Sequence, residues 1–109
     1  MNRHRIERFE DIEIFLQRIE NIEYSRIECT SHTLFRLSEK QRKIFTCEEL
    51  KQRLKFGTPL KVGVQYNGNY AIYYKHKEKA LATKIIIRFA PASINIVTFY
   101  NIHINQIPK

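Results

Sequence analysis

At 109 residues the chain has the length of one domain, and 43% hydrophobic residues, with 7 Phe and 6 Tyr, supply apolar area for one ordinary core. Gly and Pro number only 3 each, which excludes a disordered or low-complexity chain, and no apolar run approaches the ~20 residues that span a membrane. The formal net charge of +8 is unevenly placed: residues 1–50 carry nine Lys and Arg against ten Asp and Glu, whereas residues 51–109 carry ten against one, Glu78.

The charged opening MNRHRIERFEDIE lacks the apolar stretch of a secretory leader, so a cytoplasmic protein is expected. Phe9, Ile12, Phe15, Leu16, Ile19 and Ile22 recur at helical spacing among Glu, Asp, Arg and Gln. That pattern predicts an amphipathic helix over 8–22, its stripe facing the core or, left unpacked, a homodimer partner. Arg26 to Cys29 reads as a short extended piece, and Ser31 is a suitable N-cap for a second helix from His32 with Leu34, Phe35 and Leu37 inward. Ser38 to Lys43 reads as a loop or a solvent face. Thr46 with Glu49 forms a capping box opening a third helix, lined by Leu50 and Leu54 and ended by Gly57-Thr58-Pro59.

From Leu60 the period falls to two. Leu60, Val62, Val64 and Tyr66 alternate with Lys61, Gly63 and Gln65. Asn67-Gly68 predicts a type I′ hairpin turn, with positive φ at both central residues, and Asn69 to Lys75 is its return strand. A Lys-rich connection, His76 to Thr83, leads to a third strand, Lys84 to Phe89. Ala90-Pro91-Ala92-Ser93 turns the chain into a fourth strand, Ile94 to Tyr100, and the tail Asn101 to Lys109 offers a further edge strand through Ile102 and Ile104. The expected fold is a single α+β domain, 1–109, with N-terminal helices packed on one face of a four-stranded antiparallel sheet. The other face is open to a ligand.

Cys29 and Cys47 show neither CxxC spacing nor neighbouring His ligands. Reduced, partly buried thiols are the expected state, with a disulfide as the alternative. A metal nuclease needs clustered carboxylates, which the basic half lacks. There is also no Gly-rich phosphate loop and no Cys or Ser nucleophile motif. No metal site and no cofactor are therefore expected.

Several residues are suited to phosphate chemistry. His32 and Arg36, at i and i+4, project from one side of a helix start, where free N–H groups favour an anion and a neutral imidazole can move protons. On the last strand, strict alternation sends Ile94, Ile96, Thr98 and Tyr100 to one face and Asn95, Val97 and Phe99 to the other. Thr98 and Tyr100 then present two hydroxyls beside Arg88 of the neighbouring strand, a set that can stabilise charge on a phosphate. Tyr66, Tyr70, Tyr73 and Tyr74 interleave with Lys61 and Lys75; at least half of them are expected in core or cross-strand packing, and the exposed ones, Tyr73 among them, form with these lysines and Lys84 a basic, aromatic surface for RNA or DNA.

The stretch Ile27-Glu-Cys-Thr-Ser-His-Thr-Leu-Phe-Arg36, followed by Thr46-Cys-Glu-Glu-Leu, Gly57-Thr-Pro and Ile96-Val-Thr-Phe-Tyr100, resembles small toxin-like domains of the RelE/BrnT-like group. These lie within the barnase–EndoU–colicin–RelE fold, and the likeness covers residues 26–100. The resemblance implies a metal-independent ribonuclease paired with an acidic antitoxin. It implies His32 as acid/base, Arg36 and Arg88 as phosphate binders, and Thr98 and Tyr100 as supporting residues. A non-catalytic nucleic-acid-binding or regulatory module using the same sheet is the alternative.

Overall fold

The computed structural model describes residues 4–29 and 47–109. The chain enters as strand β1 (Ile6–Glu10), followed by helix α1 (Ile12–Glu20), a 3-10 turn (Tyr24–Arg26) and strand β2 (Ile27–Cys29). Helix α2 (Cys47–Phe56) then precedes strands β3 (Lys61–Gln65), β4 (Tyr70–Lys75), β5 (Leu81–Ala90) and β6 (Ser93–His103). Among the described residues one six-stranded sheet results, in the order β1-β3-β4-β5-β6-β2. Its pairs are antiparallel except β2, which runs parallel to β6 with Ile27 opposite Ile94 and Cys29 opposite Ile96.

This corrects the expected four-stranded antiparallel sheet with N-terminal helices on one face. The sheet is mixed, with a strand on each side of α1 and two α-helices among the described residues. Asp11 explains why 8–22 is not one helix. Its backbone is extended (φ −61°, ψ 132°) and its carboxylate accepts from the amides of Glu13 and Ile14, so the helix starts at Ile12. The preceding residues are then free to pair with β3, where Phe9 lies opposite Gly63. Phe9 matched the helical period only because it falls three residues before Ile12.

The main core joins Phe15 and Ile19 of α1 and Leu50 and Leu54 of α2 to one face of the sheet, including Val62, Ile72, Ile85, Ile94 and Phe99. Ile12, Phe15, Leu16 and Ile19 of the expected stripe pack on this core, while Phe9 and Ile14 are exposed. Lys55 of α2 donates to the carbonyls of Ile19 (3.0 Å), Glu20 (3.3 Å) and Ile22, and so places a cation at the C-terminal end of α1. A smaller cluster occupies the opposite face, where Ala71, Tyr73 and Ile86 are packed by Ile6, Val97, Ile102 and Ile107.

Two local expectations change. Cys29 and Cys47 form a disulfide, Cα–Cα 6.0 Å, tying the end of β2 to the first residue of α2. Reduced thiols were expected because sequence spacing does not show that β2 docks on β6 directly below that helix. The Asn67-Gly68 hairpin forms, but not as a type I′ turn. Gly68 alone has positive φ (+89°) among the described residues. The Gly68 amide bonds the Gln65 carbonyl at 2.9 Å and the Gln65 amide bonds the Asn69 carbonyl at 2.8 Å. These bonds enclose a three-residue loop with its left-handed residue last.

Candidate nucleic-acid interface

A β-bulge in β6 decides which side chains reach the face opposite the main core. Ile86 of β5 pairs with Thr98, but the next residue, Ile87, pairs with Ile96, leaving Val97 as the extra residue. A bulge shifts the side-chain alternation by one. Ile94, Ile96 and Phe99 all enter the main core, whereas Thr98 and Tyr100 face the other side with Ile86 and Lys84. Strict alternation had put Thr98 and Tyr100 with Ile94 and Ile96. The two hydroxyls do share a face, but for a different reason and with different neighbours.

On that face the register aligns Lys61, Tyr73, Lys84 and Tyr100 as one row across β3, β4, β5 and β6. Gly63, Ala71, Ile86 and Thr98 form the next row. Lys61 holds its ammonium 4.3 Å from the Phe9 ring centroid, and Lys84 holds its own 5.7 Å from that of Tyr73. Burial lowers the Lys84 ammonium below the ordinary lysine range. A desolvated cation of this kind gains more from a bound phosphate than a fully hydrated one does.

Tyr73 is only 1% exposed, so its ring supports Lys84 from beneath and offers nothing to a base. Burial also raises its phenol above the ordinary value. Tyr70 and Tyr74 belong to the main core, and burial pushes the Tyr74 phenol up strongly. Tyr66, 50% exposed, sits in the hairpin loop, and Tyr100, 48% exposed, lies in the row itself. Lys75 and Arg88 are exposed at the ends of β4 and β5, opposite Ala82 and Asn95. Arg88 thus lies on the same face as Lys84, beyond Ile86. His32 and Arg36 lie outside the described residues, as do Thr46 and the expected second helix.

A pocket of about 340 Å³ opens in this face, lined by Gln65, Asn69, Lys84, Ile86, Thr98 and Tyr100, with His4 and Val97 completing it. Gln65 is 3% exposed and its Oε1 is buried without a donor. Gln65, Asn69 and His4 were not anticipated. In the alternating pattern Gln65 reads as a solvent-facing polar residue, but in the fold it lies opposite Ile6 of β1 and is buried.

A cleft of about 470 Å³ lies elsewhere, beside the end of α1. Its Arg18 is already engaged: the guanidinium donates to the Tyr70 hydroxyl at 2.7 Å and lies 3.8 Å from the Phe89 centroid. Tyr70 in turn donates to Glu10 at 3.2 Å. That arrangement fixes α1 to the sheet. No group of three or more His, Cys, Asp or Glu suited to a metal occurs among the described residues. Among them, too, no helix is long and apolar enough to cross a membrane. No known protein family, curated protein or solved structure matches this chain.

Proposed function

We propose that the chain binds single-stranded RNA across the face of its sheet opposite the main core, beside the patch that Ile6, Ile102 and Ile107 cover. One observation carries the reading: Lys61, Lys84 and Tyr100 stand in a single cross-strand row, beside a pocket whose cation is partly desolvated. Cations spaced along strands follow a phosphate backbone, and an exposed ring takes a base. The ten-to-one excess of basic over acidic residues in 51–109 strengthens attraction to a polyanion. The test is fluorescence anisotropy with a short oligoribonucleotide at several salt concentrations. Replacing both Lys61 and Lys84 by Gln should weaken binding and flatten the plot of log affinity against log salt by roughly 0.7 per lysine. An unchanged slope would remove this face from the interface.

A second reading, metal-independent cleavage of the bound RNA, is favoured by the placement of Thr98 and Tyr100 beside Lys84 on one face. Two hydroxyls and an ammonium suit the charge that develops on a phosphate during attack by the 2′-hydroxyl. In this reading His32 supplies acid/base chemistry, Arg36 and Arg88 hold phosphate, and an acidic antitoxin masks the face. RNA incubated in excess chelator with wild type and with His32→Ala tests it: cleavage by the first and not by the second is expected. In cytoplasm, which this reading assumes, the Cys29–Cys47 pair would be held largely reduced. Rapid thiol alkylation in intact cells measures its state.

A further inference from the structure

Gln65 raises a question that backbone binding does not answer. It is a polar side chain 3% exposed, its Oε1 has no donor, and it lines the pocket with Asn69 and Lys84. Buried acceptors without a partner are rare and costly, so a group that donates to this one is expected. The rest of the pocket describes that group. Ile86 and Val97 give an apolar wall, Tyr100 adds a half-exposed ring, and Lys84 adds a cation. A flat, partly apolar ligand with an N–H edge and a nearby phosphate satisfies all of these. The volume of about 340 Å³ lies at the small end of the ~300–1,000 Å³ typical of ligand sites, which suits one base rather than two.

We propose that this pocket takes a single unstacked nucleobase, whose N–H edge donates to Gln65 Oε1 while Lys84 holds the adjoining phosphate. The inference rests on the RNA-binding reading and deepens it: the row of cations gives affinity, and Gln65 selects the base. Base-edge hydrogen bonds carry selectivity that phosphate contacts cannot supply.

The experiment is an NMR titration of isotope-labelled protein with adenosine and with purine riboside, whose base lacks the amino group and has no N–H. Adenosine should shift the Gln65 side-chain amide and the backbone amides of Lys84, Thr98 and Tyr100. It should also bind at least roughly tenfold more tightly than purine riboside, the usual consequence of one unmade hydrogen bond in a buried site. Gln65→Met keeps the length of the side chain and should abolish the preference; a melting temperature at or above that of wild type shows that the fold is intact. Equal binding of the two nucleosides, a preference that survives in Gln65→Met, or no shift up to the solubility limit of adenosine overturns the proposal and leaves water as the partner of Gln65. An abasic oligoribonucleotide separates the two readings. If it binds in a salt-dependent manner while adenosine leaves the pocket untouched, the backbone reading stands and the base pocket falls. If adenosine binds and no oligonucleotide does, the backbone reading falls and the base pocket stands.

Discussion

Removing the Cys29–Cys47 bond should lower the melting temperature by roughly 13 °C. The two residues are 18 apart in sequence, and the chain-entropy relation for a loop of that length gives about 3 kcal/mol, chiefly by restricting the unfolded chain. Unfolding entropy scales with chain length, so for 109 residues each kcal/mol corresponds to about 4 °C. Native contacts around the bond should survive its loss. Tyr24 stacks on Phe56 with centroids 6.1 Å apart and donates to Glu48, and Lys55 still bonds the end of α1. Calorimetry of the Cys29→Ser/Cys47→Ser double variant against oxidised wild type measures the difference, with reductant as a second route to the same state. A fall of less than about 3 °C would refute the unfolded-state account, since the residual effect would lie within ordinary surface-substitution scatter. RNA affinity should not change, because the bond lies on the helix side of the sheet.

Tyr100→Ala should weaken oligonucleotide binding by ~1–3 kcal/mol with the salt slope unchanged, because stacking is lost and no charge is; a changed slope with unchanged affinity would contradict the assigned role. Gln65→Met should stabilise the free protein by about 1 kcal/mol in urea unfolding, since a buried acceptor without a partner is removed. Asp11→Ala should cost about 1 kcal/mol in the same assay, through loss of the cap on the Glu13 and Ile14 amides. Stability should fall in alkali. Burial raises the folded-state values of Tyr73 and Tyr74 above the unfolded value of 10.0, so their contribution is complete below that pH and is lost as pH rises beyond it. Lys84, lowered by burial, acts in the opposite sense just below 10.5 and offsets part of the loss. Urea midpoints across this range, with phenolate absorbance followed in parallel, check the direction.

The strands from Lys61 onward were legible because alternation and the Asn67-Gly68 turn are local signals, and α2 was legible from Leu50 and Leu54. What escaped sequence reasoning was set by contacts distant in the chain. β1 was hidden within a helical period that Asp11 interrupts. β2 was visible as an extended piece, but its parallel docking on β6, and with it the disulfide, was not. Tyr73 read as a surface aromatic because nothing near it announces that Ile6 and Ile107 arrive to cover the second face. Of the candidate site, Lys61, Lys84, Thr98 and Tyr100 could be named from residue type alone. Gln65 could not, since its importance comes entirely from its burial.

The unpaired Val97 gives β6 a reserve of length. Insertions and deletions in a strand ordinarily reverse the orientation of everything downstream, yet here one residue is surplus to the ladder. A chain lacking Val97 would run straight from Ile96 to Thr98, with Phe99 still inward and Thr98 and Tyr100 still outward. It would lose the local bend and the Val97 wall of the pocket. The same deletion anywhere else between Ile94 and Tyr100 would have to use up that surplus through a slip in pairing, or turn the hydroxyls into the core. Among chains descended from this one, changes of length in β6 should therefore concentrate at a single position, and those shortened there should keep Thr98 and Tyr100 outward without the bulge.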